Sequence, residues 1–134
     1  MDSRYLYRAK RTDNGEWIIG YLYRLSEKHP PFIMLCDRYG ESHEVEESTI
    51  CKCTGLRDNT RTAEFPEGKL IWENDIVTGW FDGKRITGYI MYGSNAHFFI
   101  ERKGLYGIHL DNSQDWLEVI GNIFDNLELL EVGE

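Results

Sequence analysis

The architecture of this chain turns on DIVTGWFDGKRITGYIMY, residues 75–92, two runs rich in β-branched and aromatic residues around Asp82-Gly83. Asp-Gly suits the two central positions of a type I′ turn, where both residues take positive φ, so the stretch predicts a tight antiparallel hairpin. With Asp82 and Gly83 as the only loop residues, Phe81 lies opposite Lys84 and Trp80 opposite Arg85. That register offers a stabilising cation–aromatic contact between Trp80 and Arg85. Asp75, at the head of the stretch, is expected to end the preceding loop by accepting hydrogen bonds from local backbone N–H groups.

The same pattern recurs on either side. Downstream, Gly93-Ser94-Asn95 turns the chain into a strand over 97–102, Lys103-Gly104 turns it again, and 106–110 makes one more short strand. Residues 116–124, WLEVIGNIF, carry Gly121 in mid-segment among β-branched residues and are predicted to be a strand. Asn126 is expected to cap a short final helix carrying Leu127, Leu129 and Leu130. Upstream, residues 4–11 alternate Arg4, Leu6, Arg8 and Lys10 with Tyr5, Tyr7, Ala9 and Arg11. Asp13-Asn14-Gly15 then turns them into the aromatic run 16–25, which predicts a hairpin. His29-Pro30-Pro31 breaks the pattern, 32–37 resumes it until Arg38-Tyr39-Gly40, and 41–53 continues as acidic, extended chain. Residues 54–68 are polar and turn-rich, and read as a long loop joining two lobes. The expected class is all-β with little helix. An antiparallel meander lobe at 1–58 is followed by a small SH3-like barrel lobe at 59–134, the regular turns marking a barrel or meander.

At 134 residues and 15.7 kDa the chain supports one compact domain, with two lobes at most. Its 41% hydrophobic and 13% aromatic content supplies a core without staples. Fifteen Lys plus Arg against 23 Asp plus Glu leave a net charge of −8, the wrong sign for a protein that coats nucleic acid by bulk charge. The longest strongly apolar run, residues 32–36, is far short of the roughly 20 residues of a membrane-spanning helix. The opening MDSRYLYRAK lacks the apolar stretch of a secretory signal, so a cytoplasmic protein is expected. Cys36, Cys51 and Cys53 are an odd number, and reduced thiols are expected in that compartment.

Three stretches carry a resemblance. They are YRAKRTDNGEWIIGYL at 7–22; Thr49-Ile50, Thr54-Gly55-Leu56 and Asp58, continued after an interruption by GKLIWENDIV at 68–77; and EVIGNIF at 118–124, ending in Glu128-Leu129-Leu130. In order and spacing they span nearly the whole chain, and together they resemble the YopX family of phage and prophage proteins. Relative to that family, residues 59–66 look like an insertion, Asn74 replaces the usual Gly and Leu127 the usual Pro. Cys51 and Cys53 stand where other residues are usual. The resemblance implies an all-β protein encoded by a phage or by an integrated element in a bacterial host, and implies no activity. Asp75-Ile76-Val77 followed by Gly88-Tyr89-Ile90 also looks like the opening of SH3-like barrels, a likeness of fold only.

Candidate chemistry is sparse. Cys51 and Cys53, two apart on extended chain, face the same way and could serve a metal or redox pair. Structural zinc sites, however, space their ligands by two to four residues and need a second pair, while His29, His43, His97 and His109 are isolated. Half-buried strand thiols are the ordinary reading, and no metal or cofactor is expected. His43, Glu44 and Cys51 are near in sequence, but no nucleophile elbow or phosphate loop accompanies them, so no catalytic residue is assigned and the protein is expected not to be an enzyme. Asp37, Glu41, Glu44, Glu46 and Glu47 read as a solvated face protecting a strand edge. Arg4, Tyr5, Tyr7, Arg8, Lys10 and Arg11 form the one segment suited to a polyanion, since stacking plus local positive charge can hold single-stranded nucleic acid. The competing reading is an amphipathic strand whose arginines pair with carboxylates. A non-catalytic accessory protein is therefore expected, binding a protein partner or itself, with no membrane involved; the alternatives are a nucleic-acid-binding protein, disfavoured by net charge, and a small thiol-dependent enzyme using Cys51 or Cys53.

Overall fold

The computed structural model describes residues 3–35, 40–93, 96–102, 104–105 and 107–130. Two compact units are present, Met1–Cys53 and Thr54–Glu134. In the first, a 3-10 turn (Ser3–Tyr5) leads into β1 (Tyr7–Lys10), β2 (Trp17–Tyr23), β3 (Phe32–Leu35), β4 (Ser42–Glu44), a second 3-10 turn (Glu47–Thr49) and the start of β5 (Cys51–Arg57). The spatial order is β4-β3-β2-β1-β5. Arg4 and Tyr5 thus precede the strand they were expected to open. The β1–β2 hairpin is as expected, with Gly15 at φ 74° and the Arg11 N–H donating to the Glu16 carbonyl. Alternation buries Ala9, Ile33 and Val45, with Tyr7, Ile18, Leu22 and Ile50 packed against them. The end of the third predicted strand, with Cys36, Asp37 and the Arg38-Tyr39 turn, lies outside the described residues.

In the second unit, the later part of β5 lies beside β6 (Leu70–Trp72). Residues 54–57 are therefore strand and not the start of a loop, because β6 supplies partners: the Asp58 N–H donates to the Lys69 carbonyl, and the Thr54 hydroxyl to that of Ile71. Next come β7 (Asp75–Phe81), β8 (Lys84–Tyr92), β9 (Phe98–Glu101), β10 (Ile108–His109), a single helical turn α1 (Ser113–Trp116), β11 (Leu117–Asn122) and a 3-10 turn (Leu127–Leu130). The sheet order is β10-β9-β8-β7-β11. Its core is aliphatic: Ile71, Val77, Ile86, Ile90, Ile100, Ile108, Leu110 and Leu117.

The all-β class is found. The closed SH3-like barrel is not: among the described residues the strands form open antiparallel sheets, because β11 returns to the far side of β7 while β10, two residues long, ends the other edge. The β7–β8 register is the expected one, Phe81 opposite Lys84 and Trp80 opposite Arg85, with Asp82 and Gly83 at φ 53° and 78°. Of the strand predicted over 116–124, Trp116 belongs to α1 and the strand ends at Asn122. Asn126 directly precedes the last 3-10 turn, its carbonyl accepting from the Leu129 N–H, and its Oδ1 accepts from the Asn122 N–H behind it. Ser94, Asn95, Lys103 and Tyr106, expected in turns and at a strand start, lie outside the described residues. Among the described residues no helix is long and apolar enough to cross a membrane.

Candidate functional site

Alternation along β1 divides the basic and aromatic residues singled out from the sequence. Tyr7 and Ala9 point to the core side, and Arg8 and Lys10 to the other. Register extends that second face across the sheet. Lys10 is opposite Trp17 and Arg8 opposite Ile19; Tyr21 is opposite Met34 and Tyr23 opposite Phe32; Phe32 in turn is opposite Glu44. One face therefore carries two cations on β1, an aromatic and aliphatic row on β2 and β3, and the exposed Glu44 on β4. Ile19 is 45% and Tyr21 38% exposed, and Trp17, Tyr23, Phe32 and Met34 are half-buried.

The face is locally ordered. The Arg8 guanidinium lies 4.8 Å and the Lys10 ammonium 5.4 Å from the Trp17 ring centroid, while Tyr23 and Phe32 stack at 5.7 Å. Such contacts hold cations over aromatic faces without removing their charge. The remaining sequence candidates lie elsewhere. Arg11 forms a two-pronged contact with Asp13 at 2.9 and 2.7 Å. That hydrogen bond raises the Arg11 pKa and lowers that of Asp13. Tyr7 receives Lys52 over its ring at 5.2 Å, and Tyr5 is 66% exposed on the opening turn. The structure thus brings together Arg8 and Lys10 and adds Trp17, Ile19, Tyr21, Tyr23, Phe32 and Met34, which the sequence reading missed. The signal was present in the alternation Trp17, Ile19, Tyr21, Tyr23.

The other candidates are engaged locally. Cys51 and Cys53 are buried, and the Cys51 thiol donates to the Thr49 carbonyl at 3.2 Å. His43 lies 2.9 Å from Glu41, His29 2.7 Å from the Ser26 hydroxyl, and the His97 and His109 rings stack at 4.7 Å. No cluster of three or more His, Cys, Asp or Glu able to hold a metal occurs among the described residues. Of the acidic group, Glu47 pairs with Arg24 at 3.0 Å, the Glu46 N–H donates to the Lys10 carbonyl, and Asp37 lies outside the described residues.

Charge is divided unevenly. Unit Met1–Cys53 holds eight Lys plus Arg and nine Asp plus Glu, net −1, whereas Thr54–Glu134 holds seven and fourteen, net −7. The acidity that argues against polyanion binding belongs mainly to the second unit.

In comparisons with known proteins, no curated protein and no solved structure matches the chain. A family model described as YopX protein matches residues 6–131. With nearly the whole chain covered, from just ahead of β1 through the last 3-10 turn, this protein belongs to the YopX family.

Proposed function

We propose that this protein is a phage- or prophage-encoded accessory protein of the host cytoplasm that acts by binding, without catalysis, and that it assembles with a second copy of itself through the open face of its first sheet. The supporting observation is that face: Trp17, Ile19, Tyr21, Tyr23, Phe32 and Met34 project from adjacent strands, with Arg8 and Lys10 at one side and Glu44 at the other. Aromatic residues and Arg are the side chains that dominate protein interfaces. A two-fold that packs two copies face to face can set the Arg8 and Lys10 side of each against Glu44 of the other, so the surface is self-complementary. Strand edges suit assembly less well. β4 has three residues, β10 has two, and β11 is broken by a bulge between Val119 and Gly121, all features that discourage edge pairing.

Size-exclusion chromatography with light scattering over a concentration series tests this reading. The wild-type chain is expected to dimerise, and Ile19→Asp or Tyr21→Asp to raise the dissociation constant roughly tenfold or more. Glu44→Lys is expected to weaken the dimer, and the combination with Lys10→Glu to restore part of the loss. A strict monomer at every concentration overturns it. A second reading is favoured by the cations over Trp17: the same face stacks single-stranded nucleic acid. Fluorescence anisotropy with single- and double-stranded oligonucleotides at low salt tests that reading, and absence of binding retires it.

A further inference from the structure

The second unit contains a polar cleft of about 400 Å³ lined by Gly55, Leu56, Arg57, Arg61, Glu67 and Gln114, together with Pro66. Three anchors hold its walls. The Asp58 carboxylate accepts from the N–H groups of Thr60, Lys69 and Val119 and from the Thr60 hydroxyl, which ties down both ends of the loop carrying Arg61. The Ser113 hydroxyl donates to the Arg57 carbonyl at 2.7 Å, which brings the neighbouring Gln114 to the cleft. Arg57 Nη1 donates to the Gly68 carbonyl at 2.9 Å, and Arg61 Nη1 donates to the carbonyls of Asp58 and Thr60.

Both guanidinium groups converge on Gly68. A Cβ there would lie 3.1 Å from Arg61 Nη1 and would collide with the Asp58 carbonyl, and φ of 97° already favours glycine. Among the described residues neither guanidinium meets a carboxylate, although this unit carries twice as many acidic as basic residues. Their Nη1 groups are committed to backbone carbonyls, while the Nε and Nη2 donors remain for a ligand.

We propose that this cleft binds a small organic phosphate, with Arg57 and Arg61 gripping the phosphate. Planar guanidinium forks match phosphate oxygens with paired hydrogen bonds, and two un-neutralised forks suit a dianion better than a single carboxylate. The volume lies within the range of small-ligand sites, and a lone phosphate would fill a minor part of it. The Glu67 carboxylate repels further negative charge and accepts from a hydroxyl or amine, and the Gln114 amide can serve either partner. A sugar phosphate or nucleoside monophosphate has this combination. Arg61 and Pro66 come from the loop after Asp58, whereas Gly55, Leu56 and Arg57 belong to β5.

Isothermal titration calorimetry of the full chain at low salt, with adenosine 5′-monophosphate, ribose 5-phosphate, adenosine and inorganic phosphate, tests the assignment. At least one of the two organic phosphates is expected to bind, more tightly than inorganic phosphate, and adenosine to give no heat. Arg61→Gln and Arg57→Gln are each expected to weaken binding tenfold or more, and Gln114→Ala a few-fold. Silence of both organic phosphates overturns the proposal. So does equal binding of adenosine and its monophosphate, inorganic phosphate binding as tightly, or unchanged affinity in Arg61→Gln with the wild-type melting temperature. Ile19→Asp, aimed at the first sheet, is expected to leave the titration unchanged, so failure here and failure of the assembly reading are distinguishable.

Discussion

Asp58 is fully buried, and its two carboxylate oxygens accept four hydrogen bonds from segments up to 61 residues away. Burial pushes its pKa up, but the N–H groups of Val119, Lys69 and Thr60 and the Thr60 hydroxyl outweigh that, and the net value lies below the ordinary one. A carboxylate depressed on folding contributes stability above its unfolded pKa and loses that contribution as pH falls through the folded value. Asp58→Ala is expected to cost about 2–4 kcal/mol, since three backbone donors lose their acceptor, as read by urea denaturation at neutral pH. The stability gap between wild type and Asp58→Asn is expected to be full at neutral pH and to close as pH falls below the ordinary Asp value of 3.8. Asp58 was visible in the sequence as part of a motif, but its role was not, because its partners are remote along the chain. Asn74 is the opposite case. Its φ of 72° is a left-handed conformation that asparagine tolerates and a β-branched residue does not, and Asn74→Val is expected to lower stability by about 1–2 kcal/mol in the same assay.

At the level of elements, the β6–β7 turn and the β7–β8 hairpin were the most legible parts. Asp75 accepts from the Trp72 N–H at 2.8 Å, the local closure expected of it, and Asp82-Gly83 takes the predicted conformation. Such features depend on residues a few positions apart, so the sequence contains both partners. The predicted contact between Trp80 and Arg85 fails for a reason the register could not reveal. Trp80 is 65% exposed near the hairpin tip, where holding a long side chain over the ring costs conformational entropy without much desolvation to offset it. Phe81 instead meets Trp116 at 5.6 Å. The approach of Trp116 also restricts β7, because a Cβ on Gly79 would collide with the Trp116 carbonyl. Gly79→Ala is therefore expected to destabilise the protein by about 1–3 kcal/mol, measured by thermal melting, even though alanine is an unremarkable strand residue. The single helical turn before β11 escaped the sequence reading because β-branched propensity over 117–120 outweighed a four-residue helix.

Across the whole molecule, two separate aliphatic cores underlie the two compact units, and the acidity is concentrated in the second. Cys51 and Cys53 are as buried as the core itself, so in a Cys36→Ser background thiol modification is expected to be slow in buffer and fast in denaturant. Rapid native labelling would contradict that burial. Turn dipeptides and period-two alternation were enough to indicate an all-β chain, and three spaced motifs were enough to indicate its family, because each depends on short-range order along the backbone. Whether the last strands closed into a barrel depended on which neighbour β11 chose, a pairing settled by packing between distant segments. The convergence of Arg57, Arg61 and Gln114, and the gathering of Arg8 with Phe32 and Glu44 on one face, arose in the same way. Folding joins residues tens of positions apart through register and buried hydrogen bonds, and linear spacing alone does not encode those meetings.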